Sequence, residues 1–314
     1  MTHRLRIVFM GSPDFSVPSL RALHARHDVV GVVTQPDRPK GRGKKMASPP
    51  VKIVAEELGV PSILQPTTLR RREVRDHLAA LEADCFVVVA FGQILRPKIL
   101  ALPCLGCVNV HGSLLPRHRG PAPIQWAVLD GDRKSGVTIM LMDEGIDTGP
   151  TLLARSIEAE ACETAGSLHD RLAPLGASAL LEALDGLVLG TVVPTAQPET
   201  GATHARMLTK SDGAVDWTWP AVRVDRWIRG MDPWPGSFTD VGGARLKLFA
   251  STLAVGRRGD PGVISAIDDR GILVGAGDGA ALWVTQLQLP GRKRMSAEAL
   301  AAGRAIAVGT RLGS

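Results

Sequence analysis

The strongest constraint on the fold is an alternation, in the first half of the chain, between short apolar runs and helical patterns. Five runs rich in Val, Ile, Leu and Phe lie at 5–10, 29–33, 85–90, 107–110 and 136–142. Helical spacing of apolar residues occupies 16–26, 50–58, 70–82 and 122–130, and a longer helical pattern covers 167–189. Strands that alternate with helices predict an α/β fold with a doubly wound, mostly parallel sheet covered on both faces.

The texture of the sequence changes after residue 190. Residues 191–206 are rich in Thr, Ala and Pro and show no periodicity, which predicts a linker. From Met207 onward, short apolar runs alternate with glycine-rich turns such as Gly242-Gly243, a pattern typical of a small β-barrel or sandwich. We therefore predict one domain over 1–190, a linker over 191–206 and a β domain over 207–314.

Composition narrows the class of protein. Apolar residues make up 45% of the 314 residues and charged residues 22%, which excludes a disordered chain. The net charge of +6 suits a polyanionic partner without requiring one. Four cysteines are too few for a disulfide scaffold and agree with a reducing compartment. We find neither a signal-peptide pattern nor a window of about 18 apolar residues, so we expect a cytoplasmic protein with no membrane association.

Two polar residues end the apolar run at 107–110. Asn109 and His111 are two residues apart, so their side chains lie on one face of the predicted strand. Ligands of open α/β sheets bind beyond the carboxyl ends of the strands, which is where these residues fall. Spacing alone leaves two alternatives open, a pair of satisfied polar groups at a strand end or a catalytic pair.

A second polar segment follows the run at 136–142. Residues 142–149 carry Asp143, Glu144 and Asp147, interleaved with Gly145 and Gly149, and we expect these acids at the same sheet edge as Asn109 and His111. The alternative is a turn whose acids only cap backbone amides. An Asn, a His and an Asp on one edge suit acyl transfer to an amine. The Asn can donate to the oxyanion, the His can move a proton, and the carboxylate can orient the His.

Residues 36–45 carry five basic residues and one acid. The prolines and glycines between them predict a flexible basic loop with neither helix nor strand, placed after the strand at 29–33. The alternatives are an ordinary solvated loop or a phosphate-binding P-loop, and the spacing GxxxxGK[ST] of the latter is missing. The basic residues are Arg38, Lys40, Arg42, Lys44 and Lys45.

The two polar segments carry a family resemblance. Residues 109–116 (NVHGSLLP), followed by Arg119-Gly120, resemble the signature of the folate-dependent formyltransferases, and so does 143–149 (DEGIDTG). The resemblance implies that 10-formyltetrahydrofolate is the co-substrate. It also implies catalytic roles for Asn109, His111 and Asp147, and tetrahydrofolate contacts for Ser113, Leu114, Leu115 and Pro116.

One branch of this superfamily formylates methionine on initiator tRNA, and the resemblance to that branch extends over the whole chain. Residues 9–15, 34–52, 208–217 and 232–235 resemble segments of that branch. It implies a Rossmann-like formyltransferase domain over 1–190 and an OB-like β-barrel over 207–314 that contacts tRNA. It further implies that initiator methionyl-tRNA is the acceptor and that the five basic residues of 36–45 contact it. We single out Arg42 as the residue that wedges beside the first base pair.

The sequence does not favour metal or nicotinamide chemistry. Cys104-x-x-Cys107 lacks a second pair of ligands at zinc-finger spacing, so we expect no metal. The turn after the first strand lacks GxGxxG, so we expect no nicotinamide cofactor. We expect a monomer. Two alternative functions stay open, a formyltransferase for a sugar nucleotide or small amine and a non-catalytic RNA-binding protein. The basic loop and the C-terminal β domain argue against the first, and the intact polar trio argues against the second.

Overall fold

The computed structural model describes residues 4–40, 43, 45–302 and 306–313. Its strands are β1 (Arg6–Gly11), β2 (Asp28–Val33), β3 (Arg38–Lys40), β4 (Lys45–Ala47), β5 (Ile63–Leu64), β6 (Cys85–Val89), β7 (Cys107–His111), β8 (Lys134–Leu141), β9 (Thr151–Glu158), β10 (Ser237–Val241), β11 (Ala244–Arg258), β12 (Ile264–Asp268), β13 (Gly271–Gly275), β14 (Ala280–Gln288) and β15 (Met295–Ser296). Its α-helices are α1 (Val17–Arg26), α2 (Pro50–Glu57), α3 (Arg72–Ala80), α4 (Pro97–Leu100), α5 (Pro123–Asp130), α6 (Ala165–Leu189), α7 (Ala221–Gly230) and α8 (Ala297–Ala302).

The chain divides into two compact units. The first contains 1–123, 134–158 and 169–206, and the second contains 124–133, 159–168 and 207–314. The boundary before Met207 coincides with the predicted end of the linker. The segment 191–206 belongs to the first unit, and its backbone pairs with that unit at Thr195 and His204.

The first unit is built on a seven-stranded sheet in the order β5-β2-β1-β6-β7-β8-β9. The first five strands in that order are parallel, and the apolar runs of β1, β2, β6 and β7 are largely buried, as a doubly wound sheet requires. The doubly wound, mostly parallel α/β architecture predicted from the alternation is confirmed. The sequence pattern did not indicate β9, in which buried and partly exposed residues alternate at the sheet edge.

One prediction about this sheet is wrong, namely that the segment 142–149 leaves it at the same edge as Asn109 and His111. Strand β8 is antiparallel to β7, and Leu141 at its end pairs with Val108 near the start of β7. The segment after β8 therefore leaves the sheet at the edge opposite to the one that follows His111. An apolar run reads the same in either strand direction, so hydrophobicity could not reveal this reversal.

Helix α6 corrects a second expectation, that no segment is long and apolar enough to cross a membrane. By length and composition alone α6 meets that test, and half of its most apolar stretch is buried within the protein. Core helices meet the same test, so the finding is weak evidence for a membrane span. In the first unit, Gly176 lies against Val110 of β7, and Leu172 and Leu180 are fully buried. Helix α6 therefore packs against the sheet of the first unit.

The basic segment also differs from its prediction as a loop without strands. Arg38–Lys40 and Lys45–Ala47 form a two-stranded antiparallel ribbon. Pro39 is tolerated because an isolated pair of strands leaves outward-facing positions that need no N–H donor. Counting prolines and glycines therefore underestimated the pairing of such short strands.

The second unit contains a six-stranded antiparallel sheet, with β10 to β14 in the order β10-β11-β14-β13-β12 and β15 paired with β14. Its two sides are joined through the last described segment. Leu312 N–H donates to Gly262 O beside β12, and Gly313 N–H donates to Asp240 O of β10, both at 2.8 Å. The predicted C-terminal β domain is confirmed. The two hydrogen bonds connect the opposite edges of the sheet, as in a β-barrel. Helix α7, which the sequence analysis did not identify, packs Val224 and Ile228 into the core of this unit.

Candidate active site

The site begins at the end of the buried strand β7. All five residues of β7 are buried between β6 and β8, and the side chains of Asn109 and His111 lie on one face. Asn109 is 8% exposed and His111 is 6% exposed. Buried polar side chains require partners, and the partners of these two lie on segments distant in sequence.

Both ring nitrogens of His111 face hydrogen-bond acceptors. Nε2 lies 2.9 Å from the carbonyl oxygen of His118, and Nδ1 lies 3.6 Å from Oδ2 of Asp147. A neutral imidazole has only one N–H to donate, whereas the imidazolium has two. His111 therefore has an acceptor beside each ring nitrogen, a backbone carbonyl at Nε2 and a carboxylate at Nδ1.

Asp147 connects three elements of the site. Its Oδ1 accepts from Asn109 Nδ2 at 3.4 Å, and its Oδ2 accepts from the backbone N–H of Gly120 at 2.8 Å while facing His111. Asp147 has a φ of 55°, in the left-handed region that Asp tolerates better than most residues. This backbone turns the carboxylate toward β7.

Close contacts explain the glycines of the segment 142–150. A Cβ at Gly149 would lie 1.9 Å from Leu141 O, so only glycine fits where the segment returns past β8. Asp143 accepts from Gly145 N–H at 3.0 Å and from Thr148 Oγ1 at 2.8 Å. Asp143 therefore has the turn-stabilising role that the sequence left open for all these acids, whereas Asp147 faces Asn109 and His111.

The predicted folate-contacting residues form the turn that directly follows β7. Thr138 Oγ1 donates to Ser113 O at 2.7 Å and accepts from Leu115 N–H at 3.1 Å. The Ser113 hydroxyl donates to Arg117 O at 2.6 Å and is buried, so it is used within the turn. Leu114, Leu115 and Pro116 are half-buried. Their apolar surfaces are the part of this turn that remains for a ligand.

Gln197 is a supporting residue that the sequence analysis missed. Its Nε2 donates to the carbonyls of Asp147 and Gly149, each at 2.8 Å, and its Oε1 accepts from Arg119 Nε at 3.0 Å. It lies in the segment predicted as a linker, which has no periodicity that could mark it. Gln197 fixes the backbone on which the Asp147 carboxylate is carried.

Three of the predicted tRNA-binding residues lie on the two-stranded ribbon of β3 and β4 that follows β2, which we call the basic ribbon. Arg38 and Lys45 lie on its two strands and are exposed, and Lys40 pairs with Lys45 through the backbone. Arg42 and Lys44 lie outside the described residues. The start of the ribbon is anchored by Asp37, whose pKa is lowered by a hydrogen bond from Gln65 and by the ammonium group of Lys52.

Among the described residues, no group of three or more His, Cys, Asp and Glu side chains is arranged to hold a metal ion. Cys107 lies two residues before Asn109 on β7 and is buried, and burial raises the pKa of its thiol to about 12. Its Sγ lies 3.8 Å from Leu100 O, as expected for a packing residue. Cys104 is exposed, and its Sγ contacts Asp84 O.

Comparison with known proteins covers both units. A family model described as Formyl transferase matches residues 5–184, and one described as Formyl transferase, C-terminal domain, matches residues 207–305. The methionyl-tRNA formyltransferase of Desulfotalea psychrophila is 52% identical over 308 residues, which are 98% of this chain and 95% of that relative. The methionyl-tRNA formyltransferase of Pseudomonas fluorescens (strain SBW25) is 49% identical over 316 residues, covering 100% of this chain and 99% of the relative.

Solved structures share the fold at lower identity. HypX from Aquifex aeolicus, in complex with tetrahydrofolic acid, matches with a TM-score of 0.65 and 20% identity over 98% of this chain. The chain spans 48% of the length of HypX. An N-formyltransferase from Helicobacter canadensis, in complex with folinic acid and dTDP-3-aminofucose, matches with a TM-score of 0.65 and 15% identity, covering 89% of this chain and 98% of that one. At these identities the likeness shows the fold alone.

Proposed function

The chain belongs to the formyl transferase family, and from this premise we propose that it transfers the formyl group of 10-formyltetrahydrofolate to the amino group of methionyl-tRNA, with initiator tRNA as the acceptor. The products are N-formylmethionyl-tRNA and tetrahydrofolate. The relatives that carry this activity in their names match the chain at about half identity over nearly its whole length. We place the reaction in the cytoplasm, with one chain as the active unit.

One observation carries the proposal at the level of chemistry. A single carboxylate, that of Asp147, gathers the amide of Asn109, the ring of His111 and the backbone N–H of Gly120 within 3.6 Å. Donors fixed in this way can stabilise a charge that develops only in the transition state. The half-buried Leu114, Leu115 and Pro116 follow directly and offer an apolar surface to the folate.

The mechanism we propose has two bond changes. The methionyl amine attacks the formyl carbon of the folate, and the carbonyl oxygen becomes an oxyanion to which Asn109 and protonated His111 donate. The attacking nitrogen loses a proton, and the bond between the formyl carbon and N10 of the folate breaks as N10 gains a proton. Asp147 orients His111 and assists proton transfer. The formyl group passes directly to the amine without a covalent enzyme intermediate.

Recognition of the tRNA is assigned to positive charge. The basic ribbon places Arg38 and Lys45 after β2, one of the parallel strands that run toward the same sheet edge as β7. We propose that the segment Arg38–Lys45 contacts the acceptor stem and that the C-terminal β domain provides a further tRNA contact. Cation–phosphate contacts are strong and depend on salt concentration.

The proposal is tested by comparing acceptors with one formyl donor. The protein is incubated with 10-formyltetrahydrofolate and either methionyl-tRNA or a nucleotide-linked amino sugar, and release of tetrahydrofolate is followed. We expect transfer to methionyl-tRNA and none to the amino sugar. Transfer only to the amino sugar would replace the proposed acceptor while retaining formyl transfer. Folate binding without any transfer would contradict a catalytic role for the site.

A further inference from the structure

A cavity lined by cations lies in the first unit, away from Asn109 and His111. It has a volume of about 420 Å³, and the buried residues Leu69 and Ile99 are part of its lining. We call it the arginine pocket, after the basic residues Arg70, Arg71, Arg72, Arg75, Arg96 and Lys98 that line it. No pattern in the sequence indicates a site at these residues.

Most of this charge is not neutralised by the protein. Arg72 and Arg75 pair with the carboxylate of Asp76, at 3.2 and 2.7 Å. In the described part of the chain, no carboxylate lies within 4 Å of the charged groups of Arg70, Arg71, Arg96 and Lys98, which are all exposed. Like charges held around one cavity repel one another, and binding of an anion relieves that repulsion.

The topology places the arginine pocket at the same sheet edge as the basic ribbon. Residues 69–72 follow β5, residues 96–98 follow β6, and the ribbon follows β2. These strands and β7 are parallel, so all these segments leave the sheet at the edge where His111 lies. A polyanion that meets the ribbon can therefore continue along the same edge.

Glutamine side chains connect the ribbon and the arginine pocket directly. Gln65 Nε2 donates to Gln35 O at 2.9 Å and to Asp37 Oδ1 at 2.7 Å, beside the start of the ribbon. Gln93 Nε2 donates to Pro66 O at 3.0 Å, and Gln93 Oε1 accepts from Leu69 N–H at 3.0 Å. These hydrogen bonds connect the segments that follow β2, β5 and β6. The start of the basic ribbon and the arginine pocket are therefore held together by side-chain contacts.

We propose that the arginine pocket binds the phosphate backbone of the tRNA acceptor, as a second contact beyond the basic ribbon. The inference rests on the proposed function. Cations on two separate segments suit consecutive phosphates better than one small anion. Phosphate contacts carry no sequence information, so we expect the contact at the pocket to be independent of nucleotide sequence.

The test removes one charge from each wall of the pocket. The double variant R70Q/R96Q is compared with R4Q/R26Q, which also removes two positive charges. Arg4 and Arg26 precede β1 and β2, so they lie at the opposite edge of the sheet. A third variant, R70K/R96K, retains the charge. Equilibrium binding of tRNA is measured between about 50 and 200 mM salt, and the KM and kcat of formyl transfer are measured separately.

For R70Q/R96Q we expect tRNA binding on the order of tenfold weaker, a salt slope reduced by about 2, a raised KM and an unchanged kcat. R4Q/R26Q should match the wild type, and R70K/R96K should retain most of the affinity. If R70Q/R96Q keeps the wild-type affinity and salt slope, the pocket proposal is wrong.

Measuring tRNA binding separately from formyl transfer distinguishes failure of this inference from failure of the proposed function. If the wild type binds tRNA and transfers no formyl group to it, the proposed function fails. A reduced salt slope in R70Q/R96Q then still supports the pocket, and an unchanged slope overturns it. A loss of affinity for inorganic phosphate with unchanged tRNA binding would show a small-anion site and overturn the proposal.

Discussion

Oδ2 of Asp147 lies 3.6 Å from Nδ1 of His111, although β7, whose last residue is His111, and β8, which precedes Asp147, end at opposite edges of the sheet. The contact exists because the segment after β8 folds back across the sheet and Asp147 adopts a left-handed backbone. Gly149 permits the close return, and Gln197 holds the carbonyls on either side of the turn. The relation between the carboxylate and the imidazole is therefore set by a loop.

Replacing Asp147 by Asn should lower kcat by about 10²- to 10⁴-fold, because the group that orients His111 and supports its positive charge loses its own charge. The rate is measured in single turnover at saturating folate and tRNA. D143N is the matched control, since Asp143 lies in the same segment and only stabilises the turn through Gly145 and Thr148. An equal loss in both variants would attribute the effect to the segment as a whole and contradict the role of Asp147.

Replacing Asn109 by Ala should lower kcat by about 10²- to 10³-fold, as expected for the loss of one donor to an oxyanion. The affinity for tRNA should not change, because Asn109 is buried on β7 and lies apart from the basic ribbon. Turnover and tRNA affinity are measured on the same preparation. Near-normal turnover would refute the assignment of Asn109 as an oxyanion donor.

The sequence predicted the individual groups of the site better than their arrangement. Asn109 and His111 were placed correctly on one face of a strand because alternation along a strand is a local property. The opposite direction of β8, the fold-back of its loop and the support from Gln197 depend on contacts between distant segments. Nothing in the local pattern around 136–149 or 191–206 encodes them.

Stability should depend on pH through His27, which is buried at the end of α1. Burial lowers the pKa of His27 below its ordinary value of 6.5, and its Nδ1 accepts from Leu5 N–H at 3.4 Å. As the pH falls below about 6.5, the unfolded chain takes up a proton that the folded chain does not. The free energy of unfolding should therefore decrease from pH 7 toward pH 5.

Chemical denaturation of a His27→Asn variant tests this source of the pH dependence. Asn keeps a polar atom near the position of Nδ1 and does not titrate, so the decrease below pH 6.5 should become shallower. His24→Asn, on the same helix, serves as the control and should keep the wild-type profile. If His27→Asn retains the full decrease, other groups cause the acid sensitivity.

Arg42 was selected from the sequence and the family resemblance as the residue beside the first base pair of the acceptor stem. R42A should reduce formylation of initiator methionyl-tRNA on the order of tenfold or more, since one arginine–phosphate or wedge contact is lost. A matched R21A variant, which removes a charge from α1, should leave formylation unchanged. Unchanged formylation in R42A would end the wedge hypothesis.

In the rest of the fold, too, some elements are determined by neighbouring residues and others by contacts between segments distant in sequence. Helices such as α2, which starts at Pro50, follow from periodicity and helix-start signals within a few residues. The basic ribbon and the barrel closure at Leu312 and Gly313 depend on pairing between segments. Helix α7 was not predicted because its run of ten residues carries only a short apolar face.

The central claim is tested most directly by formyl transfer from 10-formyltetrahydrofolate to charged initiator tRNA, with charged elongator methionine tRNA as the comparison. Single-turnover rates are measured for both acceptors at equal concentration and salt. We expect strong transfer to the initiator and little to the elongator, because the family resemblance implies that the segment 36–45 selects a tRNA whose first base pair is weak and opens at low cost. Equal rates on the two tRNAs would contradict the proposed selection, and no transfer to either would contradict the proposed function.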